Sequence, residues 1–287
     1  MAAMSLSSQT SFERRSFNST TSRSRGRSHV GASCLASSVF LASWRTRSRT
    51  PAPRNRNRSS HARGSSRLTT CVFTGIVQGK TSVISKDVIK ENEAMAFRMQ
   101  FPKGATENLQ VGASVAINGT CLTAVEIDQE NDTARFDLII ETLRATNLGK
   151  LDVGSEANFE RAARIGDEIG GHNVSGHVNC VAQLESVEAT DENRRLLFSL
   201  PKDVGRYVFA KGFVAVDGCS LTVGEVERGD ERDSFSVYLI PETLRVTTLG
   251  GYTPGDAVNI EADASTVAVV ETVARVLAEK NLELSSL

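Results

Sequence analysis

Histidine, cysteine pairs and long apolar runs are scarce in this 287-residue chain, and each shortage removes a class of function. Beyond residue 70 there are only two histidines, His172 and His177, five positions apart. That spacing suits neither a zinc-binding pair on one helix turn nor a local cluster of carboxylate ligands, so no metal is expected. Five cysteines, Cys34, Cys71, Cys121, Cys180 and Cys219, include no C-x-x-C pair, which argues against a disulfide scaffold or a zinc module. No apolar run approaches the roughly 20 residues of a membrane-spanning helix, so no membrane partner is expected.

Charge is divided unevenly. Residues 1–70 hold thirteen arginines, no lysine and a single acid, Glu13, for a net charge of +12. The remainder holds 20 bases against 33 acids, a net of −13. Nucleic acid rewards clustered Lys and Arg, so the acidic body is not expected to bind it. The leading segment is rich in Ser, contains the single Trp44 and shows no period that would build a core. It reads as an organellar transit peptide over residues 1–70, directed to the chloroplast stroma, with cleavage close to Cys71. The apolar stretch Val39–Ser43 is too short for a secretory signal. A basic arm that binds RNA or a membrane surface is the alternative.

The acidic body is one unit written twice. The segment Glu141–Glu160 matches Glu242–Glu261 at an offset of 101, with ten of twenty positions identical. Ser114–Glu126 matches Phe213–Glu225 at an offset of 99, and Phe73–Val77 matches Val174–Val178 at 101. Within each copy, alternating runs such as Ser114–Ile117, Thr133–Ile140 and Phe235–Ile240 read as short strands. Asn118-Gly119 and Asp217-Gly218 have the composition of tight hairpin turns. About six strands per copy, with no room for crossover helices, predict small antiparallel barrels that close to remove their edges. The expected fold is mainly β: two pseudo-twofold-related, six-stranded, Greek-key-type barrels over residues 72–169 and 170–263. Residues 264–287 supply a C-terminal helix and tail. Val267, Val270, Val273, Ala274 and Leu277 recur there at helical spacing, with Ser265 as the expected N-cap and self-association as the expected use of the stripe.

The repeat equates Asn118 with Asp217, Cys121 with Ser220 and Thr123 with Thr222. A thiol or hydroxyl with a threonine two residues on lies on one strand face, so twin barrels carry twin polar patches. Asp137–Thr142 and Tyr238–Thr243 would form the opposite wall of each, and Lys211 stands where the first copy has Gly112. His172 and His177 lie in GGHNVSGHVN, where they serve either as structural groups or as acid/base groups near neutral pH.

The ordered set FTGIVQGK, NGTCLT, ETLRATNL, NFERA, GGHNVSGHV, KGFVAVDGCSLT, LIPETLRVTTLG and VNIEAD resembles the riboflavin synthase family, collinearly over about residues 72–280. The resemblance implies two lumazine-binding barrels and a C-terminal helix in a homotrimer. It implies dismutation of two 6,7-dimethyl-8-ribityllumazine molecules to riboflavin and 5-amino-6-ribitylaminouracil, without metal or organic cofactor. By the same resemblance, Gly75, Ile76 and Val77, with Ser114, Cys121, Leu122, Thr123, Asp137, Leu138, Ile139, Ile140, Glu141 and Thr142, would hold the first lumazine. Gly176, His177, Val178, Lys211, Asp217, Ser220, Leu221, Thr222, Ile240, Pro241, Glu242, Thr243, Leu244 and Arg245 would hold the second. Cys121 and Ser220 would polarise or add to the ring, His172 or His177 would move protons, and Phe73 matches a family aromatic that packs into the active site. A non-catalytic lumazine or flavin carrier on the same double barrel is the nearest alternative; such relatives tend to lose the polar residues of one barrel, and this chain keeps both sets.

The targeting expectation is directly testable: mass spectrometry of the protein isolated from its native compartment should find an N-terminus within a few residues of Cys71. Intact Met1 on mature, active protein would refute it.

Overall fold

The computed structural model describes residues 72–91 and 93–279; the arginine-rich segment, the expected cleavage point at Cys71 and the tail beyond Glu279 lie outside them. The first repeat contains β1 (Gly79–Lys90), β2 (Ala94–Gln100), β3 (Ser114–Ile117), β4 (Thr120–Asp128), β5 (Thr133–Ile139), a short helix α1 (Ile140–Ala145) and β6 (Glu156–Arg161). The second contains β7 (Cys180–Thr190), β8 (Asn193–Pro201), α2 (Lys202–Gly205), β9 (Phe213–Val216), β10 (Cys219–Arg228), β11 (Arg232–Leu239), α3 (Pro241–Val246) and β12 (Ala257–Ala262), followed by α4 (Ala264–Glu279). Each repeat closes into an antiparallel barrel, in the order β1-β2-β5-β4-β3-β6 and, equivalently, β7-β8-β11-β10-β9-β12. Closure leaves no strand edge to template aggregation.

Strand period accounts for the cores. In β5, Ala134, Phe136 and Leu138 point inward and are buried, while Asp137 and Ile139 face out. Phe97, Met99, Phe101 and Phe159 complete the first interior, where Phe101 meets Phe159 edge-on at 5.1 Å. Leu184, Leu196, Phe198, Phe235 and Val237 fill the second. The hairpin expectation holds in detail: Asn118 and Gly119 have φ of 42° and 73°, Asp217 and Gly218 of 44° and 79°. Two consecutive positive φ values are the signature of the two-residue turn that matches strand twist.

The barrels meet along a pseudo-twofold seam. Phe73 and Val174 form an antiparallel bridge, N–H to O at 2.8 and 3.0 Å, packed on Ala116 and Ala215. The hairpin tips touch: a Cβ on Gly119 would lie 2.6 Å from the Gly218 nitrogen, so neither turn accepts a side chain. A buried polar lattice then links the halves. Asn259 N–H donates to Asp217 Oδ1 (2.7 Å) and Asn158 N–H to Asn118 Oδ1 (2.7 Å). Asn259 Nδ2 crosses to the Asn118 carbonyl (2.8 Å), and Asn158 Nδ2 crosses to that of Asp217 (3.0 Å). Asn147 N–H reaches Asn259 Oδ1 and Thr248 N–H reaches Asn158 Oδ1, both at 2.7 Å. Each crossing bond satisfies a buried group that would otherwise be orphaned at a cost of about 1–3 kcal/mol.

Three expectations are corrected here. Phe73, expected in the active site, is wholly buried in the seam, where it anchors the leading segment against Ala116, Val174 and Ala215. Asp217, expected to bind substrate, is fully buried and accepts from Asn147 Nδ2 (2.9 Å) and Tyr252 OH (2.8 Å), with no surface left for a ligand. The C-terminal helix is capped by Asp263, whose Oδ2 accepts from Thr266 N–H at 2.8 Å, rather than by Ser265, because the helix begins two residues earlier than that cap implies. Its stripe also divides: Val267, Val270, Ala274 and Leu277 are half-buried, while Val273 joins Val269 and Val276 on an exposed face. Glu271 anchors the helix to the second barrel through Arg206 (2.7 Å) and Tyr207.

Burial raises the Asp217 pKa to about 7 against the opposing pull of its three donors. The folded state therefore holds a proton that the unfolded chain releases near pH 4, and stability falls as pH rises from about 4 to about 7. Asp217→Asn should flatten that dependence in urea unfolding measured across pH 5–8. An unchanged slope in the variant would show that other groups set it.

Candidate functional site

The chemistry-bearing residues sit on two outer surfaces, one per barrel. On β4, Leu122 points into the first core while Cys121 is half-buried and Thr123 exposed; on β10, Ser220 is half-buried and Thr222 exposed. Ser114 pairs with Thr123 across the first hairpin, and Phe213 pairs with Thr222 across the second. Exposed Ile139 and Ile240 stand at equivalent ends of β5 and β11. Their neighbours are pinned: Asp137 by Arg135 Nε (2.9 Å), Tyr238 OH by Glu225 (2.9 Å), and Arg245 by Glu242 on α3 (2.9 Å). Ile140, Glu141 and Thr142 begin α1; Pro241, Glu242, Thr243 and Leu244 belong to α3.

Leu122 and Leu138, expected at the ligand, are core residues with 6% and 1% exposure, and Ser114 is buried at 6%. Leu122 and Leu138 alternate with the outward Cys121 and Asp137 and so point into the first core, whereas Ser114 shares the Ala116 face of β3, opposite core residues Val115 and Ile117. A cleft of about 750 Å³ lies along the seam, lined by Lys80, Asn118, Asn147, Lys150, Thr248 and Tyr252. Of the expected site residues it includes Leu244 alone, so the twin surfaces and the cleft are separate features.

The leading segment of each repeat crosses to the other barrel. Ser220 N–H donates to the Gly75 carbonyl (2.8 Å), and Cys121 N–H donates to the Gly176 carbonyl (2.9 Å). Gly75 and Gly176 have φ of 74° and 81°, and a Cβ on either would lie 2.5 Å from that of Ser220 or Cys121. The expected grouping is thereby corrected. Gly75, Ile76 and Val77 belong beside Ser220, whereas Gly176, His177 and Val178 belong beside Cys121. The Phe73–Val174 bridge is the cause, because it lays the two leading segments side by side on the pseudo-axis.

Two glutamates clamp the crossing, and sequence reasoning missed both. Glu160 on β6 accepts from Thr74 N–H (2.6 Å), Thr74 Oγ1 (2.8 Å) and Gly75 N–H (3.0 Å). Glu261 on β12 accepts from Ser175 N–H (2.6 Å), Ser175 Oγ (2.8 Å) and Gly176 N–H (2.9 Å). Burial raises the Glu160 pKa, and the three donors pull it back down. The signal was present: an Asn-x-Glu on the last strand of each repeat, Asn158–Glu160 and Asn259–Glu261, identical in both copies.

The surfaces differ in their polar atoms. His172 is buried and stacked on Phe213 at 5.2 Å, with Nδ1 sharing a 2.6 Å hydrogen bond with Ser220 Oγ. His177 is exposed, its N–H bonded to Ser175 Oγ at 3.2 Å. Lys211 is exposed with φ of 67°, a conformation its counterpart Gly112 adopts at 88° without penalty. Its N–H bonds the carbonyl of Val223, next to Thr222. A lysine held in a left-handed conformation beside a polar patch points to a functional constraint. Burial pushes the thiols of Cys180 and Cys219 up to about 12, which keeps both protonated at neutral pH.

The lumazine binding domain family matches the chain twice, over residues 74–162 and 175–263. Riboflavin synthase of Escherichia coli is 46% identical over 213 residues, covering 73% of this chain and 95% of that protein. The chain belongs to the riboflavin synthase family. LumP complexed with riboflavin superposes with a TM-score of 0.57 at 25% identity, over 66% of this chain and 98% of LumP. LumP complexed with 6,7-dimethyl-8-(1'-D-ribityl)lumazine gives 0.57 at 23%, with the same coverage. In this riboflavin synthase relative, the crossing glycines combine a positive φ with no room for a side chain. Gly75→Ala and Gly176→Ala should each destabilise the protein by about 1–2 kcal/mol and abolish ligand binding at one barrel only. Loss at both barrels, or at neither, in a fluorescence titration with ribityllumazine would contradict the crossed arrangement.

Proposed function

We propose that the chain is a riboflavin synthase that converts two molecules of 6,7-dimethyl-8-ribityllumazine into riboflavin and 5-amino-6-ribitylaminouracil. The carrying observation is the doubling itself. Two barrels present equivalent outer surfaces, each with a thiol or hydroxyl, a threonine two residues on and an exposed isoleucine wall. A reaction between two copies of one substrate needs such a pair. One lumazine gives a four-carbon unit and the other accepts it, so the atoms balance without an external oxidant or reductant. Holding both rings in register supplies acceleration by proximity, for which effective molarity is worth roughly 7–11 kcal/mol.

In this reading, Cys121 and Thr123 with Gly176, His177 and Val178 hold one lumazine. Ser220, Leu221 and Thr222 with Gly75, Ile76, Val77 and Lys211 hold the other. Ile139 and Ile240 lie against the rings, and exposed His177 stands beside the first of them as the group that moves a proton. Because Thr123, Ile139, Thr222 and Ile240 are exposed, a second copy of the chain is the natural cover. We place the active pair between the first barrel of one subunit and the second barrel of another, in a homotrimer whose subunits associate through the exposed Val269, Val273 and Val276 face of α4. The arginine-rich leader supports action in the plastid stroma. A carrier of the LumP kind would bind the same ligands without turnover.

Incubating the purified chain with ribityllumazine should yield riboflavin and the uracil product in equal amounts. Binding without either product would establish the carrier instead. Removal of residues from Thr266 onward should preserve binding but make specific activity fall on dilution; full activity of a dilute monomer would place the reacting pair within one chain.

A further inference from the structure

We infer that His172 is a positioning residue that fixes the Ser220 hydroxyl, and that this makes the second barrel's surface chemically distinct from the first. The inference rests on the riboflavin synthase reading of that surface. Ser220 is caged on three sides. Its N–H is tied to the Gly75 carbonyl at 2.8 Å, and Gly75 allows no Cβ toward it. Gly171 closes from the linker side, where a Cβ would fall 2.7 Å from Ser220 Cβ and 2.9 Å from its Oγ. His172 closes the third side, with Nδ1 at 2.6 Å from Oγ.

The imidazole is itself held. Its backbone N–H donates to the Thr74 carbonyl at 3.1 Å, its ring stacks on Phe213 at an interplanar angle of 16°, and the residue is 7% exposed. Nε2 has no partner among the described residues, so the hydrogen bond described for this ring is directed at Ser220. Burial lowers the His172 pKa while nearby Asp263 raises it, and the lowering dominates, which favours the neutral ring. The Thr74 and Gly75 side of the cage brings a further acid, Glu160, whose oxygens are taken by their N–H groups. A hydroxyl rotates freely unless something specifies its direction, and a locked ring nitrogen does so.

The first repeat offers no copy of this pair. At the repeat offsets, the counterpart of Ser220 is Cys121 and that of His172 is Cys71, which lies outside the described residues. Gly171 has no Cβ, which leaves room for the close approach of its chain segment to Ser220. Any side chain there would strike the Thr74 carbonyl at 2.2 Å.

The test compares His172→Ala, His172→Asn, His172→Gln, Ser220→Ala and the His172→Ala/Ser220→Ala double variant in the full chain, following riboflavin formation and ribityllumazine binding. Asn places a polar atom where Nδ1 stands, whereas Gln places one near Nε2. His172→Ala should lower kcat by about 100-fold with KM changed less than about threefold. In the Ser220→Ala background the same change should cost less than about twofold, and Asn should recover about tenfold over Ala where Gln does not. Equal losses in both backgrounds, or recovery by Gln to the level of Asn, would overturn the inference. Nitrogen NMR of the histidine rings gives a second reading that does not need turnover. Ser220→Ala should shift His172 Nδ1 and leave His177 unmoved; an unmoved Nδ1 refutes the pairing. A wild-type chain that makes no riboflavin, yet shows the Nδ1 shift, would fail the functional reading and leave the pairing standing.

Discussion

Each barrel borrows from the other along the seam, and the site geometry depends on that exchange. The Phe73–Val174 bridge pairs the two leading segments, and once paired they emerge over opposite barrels. Behind them the polar lattice of Asn118, Asn147, Asn158, Asp217 and Asn259 satisfies buried groups only when both halves are docked. Buried polar networks are costly when half satisfied, so this one specifies a single relative orientation of the barrels. Two apolar surfaces alone would permit sliding; crossed hydrogen bonds do not. The orientation in turn decides which glycine covers which reactive atom.

Within that symmetry the differences are concentrated at the chemistry. The lattice keeps Asn158 and Asn259 as equivalents, and the clamps keep Glu160 and Glu261. The surfaces exchange thiol for hydroxyl at Cys121 and Ser220, and glycine for a strained lysine at Gly112 and Lys211. A dismutation asks one substrate molecule to give and an identical one to receive. Binding can therefore be duplicated while the polar atoms around each ring must differ. One further asymmetry, Asn118 against Asp217, lies inside the seam, where burial holds the carboxyl far above its ordinary range.

Much of the architecture was legible because periodicity and repetition are local signals. Alternation in Thr133–Ile140 placed a strand, Asn-Gly and Asp-Gly placed the hairpins, and the offset of 101 placed the second barrel. The helix was legible too, although its cap moved two positions, from Ser265 to Asp263, whose Oδ2 takes both the N–H and the hydroxyl of Thr266. The crossing was not legible. Sequence order groups Gly75 with Cys121, since both lie in the first repeat, and nothing local reports that the Phe73–Val174 bridge carries each segment across. The same blindness put Phe73 and Asp217 at the ligand: a family motif marks a position as constrained without saying whether the constraint is contact or packing. The glutamate clamps had a signal, an acid on a buried strand repeated in both copies, and it went unused.

The crossed pairing is the central claim, and a crystal structure of the chain with 6,7-dimethyl-8-ribityllumazine tests it most directly. The ligand over Ser220 and Thr222 should contact Gly75–Val77, and the ligand over Cys121 and Thr123 should contact Gly176–Val178. A ligand over Cys121 resting against Gly75–Val77 would contradict it.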